Sequence, residues 1–260
     1  MKILHIIIYS NSKFSDNIKE GTYENMQKVL SNYYKKFNDN VSTYFVKYNE
    51  NVKSTYGKEY YIENDIIYIN GKETFIPGIL EKTLLAFKYL NNFNYDYLIR
   101  SNISTIIEFN RLISYLEKNP IDYYGSGKLV NLQCSGWNGI RDPKWYGTIF
   151  ASGTSIIFTK NAIDEIINNT HLIKKEIIDD VSFGVYIREH KKNIIPKQID
   201  ITRFCEVPYF TKNNNSISQF LEYIKNNNDI IFYRNKCFGI YVKNRDIDYN
   251  QMEIIINAIK

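Results

Sequence analysis

One stretch constrains the fold of this chain more than any other. Tyr95 to Ser104 reads Y-D-Y-L-I-R-S-N-I-S, an apolar run from Tyr97 to Ile99 that turns abruptly polar at Arg100. A run that short, with polar residues on both flanks, suits a central strand buried on both faces. In an open α/β sheet, ligands collect beyond the carboxyl ends of such strands. Arg100, Ser101, Asn102 and Ser104 therefore stand where a site is expected. Residues 3–9 repeat the pattern, ending in Tyr9-Ser10-Asn11-Ser12.

The rest of the chain supplies helices and further strands for such a sheet. Residues 20–37 carry Tyr23, Met26, Val29, Leu30 and Tyr33 at helical spacing. Ser42 to Tyr48 alternates as a strand does, and Asn49 to Lys58 reads as a polar loop. Tyr60–Ile62 and Ile66–Ile69 are short strands, and Asn70-Gly71 is a hairpin turn signal. Pro77 opens a helix to about Leu90, since a first turn needs no amide hydrogen there. Residues 106–118 read as a helix ended by Asn119-Pro120, and Ile121–Tyr124 as a short strand before Gly125-Ser126-Gly127.

Residues 128–147 lack periodicity and hold both tryptophans, Trp137 and Trp145; a long irregular loop of this kind is often functional. Thr148–Phe158 contains a strand with a small-residue start, and Lys160–Asn169 is a helix. Asp179-Asp180 opens another helix to about Glu189. Segments 193–205 and 229–243 read as strands or loops, and 216–226 and 248–259 as peripheral helices. The alternation implies an α/β fold, a Rossmann-like, mostly parallel central sheet flanked by helices with antiparallel additions.

Length and charge narrow the function. The 260 residues, 44% hydrophobic, are enough for one large core. The formal charge of +5 is mild and the lysines are scattered, so nucleic acid is not an expected partner. Three distant cysteines, Cys134, Cys205 and Cys237, imply neither a disulfide framework nor a metal site. No run of about 18 apolar residues is present, so no membrane span is expected. The opening M-K-I-L-H-I-I-I-Y-S reads as a strand rather than a signal peptide, and a reducing, cytoplasmic setting is expected. The isolated histidines have no assigned role, and His5, inside an apolar strand, reads as structural.

Three features carry chemistry if they share one sheet edge: Tyr9-Ser10-Asn11, Arg100 to Ser104, and Asp179-Asp180. An acidic residue suits a helix N-terminus, but one carboxylate is enough for a cap. Two adjacent carboxylates repel, and that repulsion raises one pKa. Gly184, four residues after Asp180, leaves space beside that carboxylate.

In order and spacing these motifs resemble the β-1,3-galactosyltransferase and Fringe kind of GT-A nucleotide-sugar glycosyltransferase. They look closest to the divergent relatives of large DNA viruses. The resemblance covers roughly residues 76–190. It rests on the helix Gly78–Leu90 with Lys82, the strand Tyr97-Leu98-Ile99-Arg100, the segment Ala151-Ser152-Gly153-Thr154-Ser155 leading to Thr159-Lys160, and Asp179-Asp180-Val181-Ser182-Phe183-Gly184.

The resemblance implies a single GT-A-like domain, with residues 1–125 as the nucleotide-binding part and 126–260 as the acceptor-side part. It implies inverting transfer of a hexosyl or N-acetylhexosaminyl group from a nucleotide sugar, a UDP-sugar, to a glycan or glycoprotein hydroxyl. Asp180 would be the general base, and Asp179 would orient it or contact the donor sugar. Tyr9, Ser10, Asn11, Lys82, Arg100, Asn102, Ser104, Ser152 and Gly153 would bind the donor, and Trp137 and Trp145 would stack on acceptor sugars. The family's acidic triplet, which holds Mn²⁺ or Mg²⁺ on the diphosphate, falls here on Asn102-Ile103-Ser104. Neutral oxygens suit such a cation poorly. The metal ligands are therefore unassigned: either another carboxylate holds the ion, or Arg100 and Lys82 neutralise the phosphates without metal. A non-catalytic module that binds sugar or nucleotide is the alternative. A nucleotidyltransferase is disfavoured because no Gly-rich phosphate loop follows the first strand.

Overall fold

The computed structural model describes residues 1–10, 20–133, 140, 142–208, 214–236 and 245–259. Its elements begin β1 (Ile3–Ile8), α1 (Thr22–Tyr34), β2 (Val41–Asn49), α2 (Val52–Tyr56), β3 (Tyr60–Glu63), β4 (Ile66–Asn70), α3 (Gly78–Leu90), β5 (Tyr97–Asn102), β6 (Thr105–Ile107) and α4 (Phe109–Lys118). They continue β7 (Tyr124–Ser126), β8 (Leu129–Asn131), β9 (Ile149–Ala151), β10 (Ile156–Thr159), α5 (Lys160–Asn168), α6 (Asp179–His190), β11 (Lys197–Gln198), β12 (Phe204–Glu206), α7 (Asn214–Asn226), β13 (Phe232–Arg234) and α8 (Asp246–Ala258).

Eight strands form the main sheet in the order β11-β7-β10-β5-β1-β2-β4-β3. The four pairings β1–β2, β1–β5, β2–β4 and β7–β11 are parallel; β10 runs antiparallel to both β5 and β7, and β3 to β4. The α/β class and mostly parallel sheet expected from the sequence are those found. The sheet takes β10 and β11 from beyond residue 125, and β7 straddles that position, so both halves of the chain build it.

Strand periodicity sorts the core. In β1, Ile3 and Ile7 pack into one apolar cluster with α1, α4 and α8, while Leu4, Ile6 and Ile8 pack into a second with α3, α5 and α6. All six residues of β1 are buried. Full burial of one such side chain contributes about 1.5–3 kcal/mol, which is why a short run without polar alternation is stable only at the centre. His5 shares the face of Ile3 and Ile7, and its Nε2 lies 2.8 Å from Ser101 Oγ. Burial pushes its pKa down to about 3, so it is a neutral core residue, as expected.

After Asn102 the chain leaves the main sheet. β6 enters a second sheet of order β12-β13-β6, with Arg234 of β13 opposite Thr105. That register carries a C-terminal strand to the polar tip of β5. Among the described residues, no helix is long and apolar enough to cross a membrane.

Several local expectations are corrected. Asn70-Gly71 does not make the hairpin; β3 and β4 turn at Asn64-Asp65, with Asn64 at φ 54°. Asn tolerates that left-handed backbone. Gly71 serves close packing instead, because a Cβ there would lie 2.7 Å from the Tyr48 ring. Residues 105–107 are strand, and the helix starts at Phe109, with Glu108 accepting a bond from Arg111 N at 2.8 Å. The polar loop 49–58 contains α2, and the segment 128–147 contains β8. The run from Thr148 to Phe158 holds two strands, β9 and β10, separated by a turn.

Candidate functional site

Alternation along β5 sets the site. Leu98, Arg100 and Asn102 share the face toward α3 and α6, since successive side chains point to opposite sides of a sheet. β10 is antiparallel to β5 with Ile156 opposite Arg100, so the turn before β10 lies beyond the carboxyl end of β5. Gly153 sits in that turn. Its carbonyl accepts from Arg100 Nη1 at 2.5 Å and from Asn102 Nδ2 at 3.1 Å. A Cβ at 153 would lie 2.6 Å from Arg100 Nη1, so the guanidinium would have to shift from its bond to the Gly153 carbonyl and its pair with Asp179. The Gly153 amide donates to Asp180 Oδ2 at 3.1 Å, and Val181 N donates to Asp180 Oδ1 at 2.8 Å. Three motifs far apart in the chain thus meet at one glycine.

The two aspartates differ. Asp179 is buried and forms an ion pair with the buried Arg100. Asp180 keeps partial exposure. Burial, and then the charge of Asp179, push its pKa up to about 6; Arg100 and the two backbone donors act against that rise. A carboxylate in that range is a competent base near neutral pH. Neither aspartate is the residue preceding α6; that position is Ile178, which makes no side-chain cap.

A cavity of about 380 Å³ opens beside this network. Tyr9, Ser10, Lys82, Asn102 and Ser104, five of the residues expected to bind a donor, line it. Arg100, Ser152, Gly153, Asp179 and Asp180 are not on its wall; the Asn102 amide, bonded to the Gly153 carbonyl, joins the wall to the Arg100, Asp179 and Asp180 network. Asn11 and Trp137 lie outside the described residues.

Four expectations change. Lys82 is not a loose cation: it is buried, donating to Glu73 Oε2 at 2.7 Å and to the Tyr9 carbonyl at 2.8 Å. Arg100 is not a loose cation either, because Asp179 already balances it. Trp145 is packed in a third apolar cluster with Phe150, Val181 and Val185, so its ring is not open to a sugar. Gly184 does not clear space beside Asp180. A Cβ there would lie 2.5 Å from Phe150 Cβ and 3.0 Å from its Cα, so the glycine lets α6 approach β9.

The tip residues do not suit a divalent cation. Asn102 Oδ1 accepts from Ser104 N at 3.2 Å, from Thr105 Oγ1 at 3.1 Å and from the Arg234 guanidinium. Ser104 Oγ accepts from Arg245. Oxygens that are neutral and already face guanidinium groups are poor ligands for Mg²⁺ or Mn²⁺. The carboxylate on the cavity wall, Glu73, is taken by Lys82. Among the described residues, no group of three or more His, Cys, Asp or Glu side chains is placed to hold a metal.

Sequence reading missed Tyr23, Glu73, Arg234, Lys236 and Arg245, all on the cavity wall. Arg234 arrives through the β13–β6 register, a pairing that joins residues over a hundred positions apart. The signal present was F-Y-R-N-K, in which Arg234 and Lys236 are two residues apart. That spacing puts both on one side of an extended chain.

No family model matches the chain, and no curated protein matches it. Solved structures match it distantly. A glycosyltransferase involved in glycosylation of the major capsid of PBCV-1 is 11% identical, with a TM-score of 0.44, covering 98% of this chain and 100% of that one. Mouse xyloside xylosyltransferase 1 is 8% identical, with a TM-score of 0.41, over 91% of this chain and 98% of that one. The 4-diphosphocytidyl-2C-methyl-D-erythritol synthase of Anaerococcus prevotii is 12% identical, with a TM-score of 0.43, over 76% and 88%. At these identities and scores the likenesses assign neither a family nor an activity.

Proposed function

We propose that the chain is a glycosyltransferase that moves a hexosyl or N-acetylhexosaminyl group from a UDP-sugar to a hydroxyl of a glycan or glycoprotein, with inversion. One observation carries the reading. The Asn102–Gly153–Asp180 chain of hydrogen bonds joins a base of raised pKa to the wall of a polar cavity at the carboxyl edge of the sheet. That is the edge where open α/β sheets bind ligands.

Inverting transfer needs a base for the acceptor proton and a polar site for the departing diphosphate, on opposite sides of the anomeric carbon. Its transition state has oxocarbenium character, as in glycoside hydrolysis. In this reading Asp180 takes the acceptor proton. Tyr9, Ser10, Asn102 and Ser104 receive the nucleotide, and Ser152 and Gly153 border the sugar. Arg100 and Asp179 do not touch substrate. They hold Gly153 and set the field at Asp180, which makes them positioning residues. The working setting is cytoplasmic, with neither nucleic acid nor membrane as a partner.

The test is turnover of a panel of nucleotide sugars, followed as release of nucleoside diphosphate with and without acceptor glycans. Asp180→Asn should lower turnover at least about 10²-fold, the low end for loss of a general base, while donor affinity is kept. Turnover that survives the substitution removes the base assignment.

A second reading is favoured by one specific feature: both Asp180 oxygens already accept backbone bonds. In that reading the carboxylate only fixes the loop, and the chain is a non-catalytic module that binds sugar or nucleotide. Calorimetry showing donor binding, with no turnover for any acceptor or metal, selects it.

A further inference from the structure

Like charges gathered at one cavity wall repel, and an anion among them relieves that repulsion. Arg234, Lys236 and Arg245 line the cavity together with Asn102 and Ser104. Arg245 is anchored: it is buried, its Nε donates to Asp248 Oδ2 at 2.6 Å, and its Nη1 donates to the Tyr23 hydroxyl at 3.2 Å. Asp248 is itself fully buried and its carbonyl accepts from Asn235 Nδ2 at 2.6 Å, which ties α8 to the end of β13.

Arg234 is different. Its guanidinium donates to the neutral oxygen of Asn102 and lies 3.5 Å from Thr105 Oγ1. Among the described residues, no carboxylate lies within ion-pair distance of it. Burial, and then the neighbouring Arg245 charge, push its pKa down to about 10. It is still charged at neutral pH, held half-buried beside a second guanidinium. Lys236, two residues on, adds positive charge to the same wall. The cavity's own carboxylate, Glu73, is engaged by Lys82 through both oxygens, at 3.0 and 2.7 Å. Such a wall favours an anion. Guanidinium groups bind phosphate oxygens through paired N–H donors.

We propose that Arg234, Lys236 and Arg245 form a cradle for the diphosphate of a nucleotide, taking the place of a divalent cation at the tip of β5. The same stretch that cannot offer carboxylates to a metal, Asn102-Ile103-Ser104, offers neutral oxygens that hold two guanidinium groups toward the cavity. Positive charge reaches the phosphates from the protein itself. Only the identity of the anion rests on the transferase reading; the cradle is argued from charge and geometry.

Calorimetry on the full chain in EDTA tests this, with UDP, pyrophosphate, orthophosphate and uridine as probes. UDP and pyrophosphate should bind without metal, and uridine at least about tenfold more weakly than UDP, the equivalent of one charge-assisted hydrogen bond. Orthophosphate binding as tightly as pyrophosphate would identify a simple phosphate site and overturn the diphosphate assignment. Arg234→Gln should weaken UDP at least about tenfold and leave uridine unchanged. Arg234→Lys, which keeps the charge but not the paired donors, should restore only part of that loss. Thermal melts of both variants confirm the folded state, and Arg245 is left intact because its Asp248 pair is structural.

Absence of UDP and pyrophosphate binding in EDTA, with Mn²⁺ or Mg²⁺ restoring it, overturns the cradle. So does an Arg234→Gln variant that binds UDP as the parent does. Binding in EDTA with no nucleotide sugar ever turned over keeps the cradle and removes the transferase. Turnover that requires metal and ignores Arg234 keeps the transferase and removes the cradle.

Discussion

Asn102 lies between two arginines that the fold uses in opposite ways. On one side Arg100 and the Asn102 amide share the Gly153 carbonyl, and Arg100 is buried against Asp179. On the other side Arg234 reaches the Asn102 oxygen with no carboxylate in ion-pair distance among the described residues. A buried cation that has its counter-ion is committed to structure, whereas a half-buried one beside a second guanidinium is not held by such a pair. The two halves of the site divide along that line: a compensated half that carries Asp180, and a half in which Arg234 has no carboxylate within ion-pair distance among the described residues.

The comparison breaks most easily at Arg100. Arg100→Met leaves Asp179 buried and uncompensated beside Asp180, and should destabilise the fold by about 3–5 kcal/mol. Arg234→Met removes a repelled charge and one hydrogen bond to a neutral group. It should stay within about 1 kcal/mol of the parent. Denaturant unfolding of the two variants side by side decides the matter. Equal losses would mean that the two arginines do not differ in kind. The double variant Arg100→Met with Asp179→Leu sharpens the result, because removing both charges should recover most of what the single change lost.

Gly184→Ala should cost less, about 1–3 kcal/mol, the usual range for overpacking. The added methyl would meet Phe150 backbone as well as side chain, so α6 must move off β9. That shift carries Asp179 and Asp180 with it and should slow turnover. UDP affinity, set on the Arg234 side, should not change. A matching loss of UDP affinity would show that the two halves are mechanically one.

How far the sequence reaches follows the same division. The compensated half was legible because its residues are local to short motifs: an apolar run that stops at Arg100, a small-residue turn at Ser152-Gly153, and paired carboxylates at a helix start. Buried central strands leave uninterrupted apolar runs, and the sheet edge then fixes where their polar ends meet. The roles of Lys82, Trp145 and Gly184 were not legible. Each depends on what lies across a packing interface: Glu73, the cluster around Phe150, and the β9 backbone. The charged half was not legible for a stronger reason. Arg234 meets Asn102 only through the pairing of β13 with β6. Nothing in the spacing of either segment announces that register.

The smallest effect on turnover at neutral pH should come from Asp179→Asn, measured per folded molecule, because leaving Arg100 buried without its counter-ion should itself destabilise the fold by about 3–5 kcal/mol. Asp180 titrates at about 6, so at pH 7 roughly nine-tenths of it is already ionised. The sign of the change is fixed by the two neighbours. The negative charge of Asp179 raises the Asp180 pKa and the positive charge of Arg100 lowers it. Removing the first and leaving the second both move the titration down. A general base works in its ionised form, so the acidic limb of kcat/KM against pH should shift to lower pH. Turnover at pH 7 should hardly change, while at pH 5 the variant should outperform the parent. Arg234→Lys, on the other side of Asn102, should leave that limb where it is. A limb that stays fixed in Asp179→Asn, or moves upward, would mean that Asp180 does not sense the buried pair. The base assignment would then lose the electrostatic reason given for it.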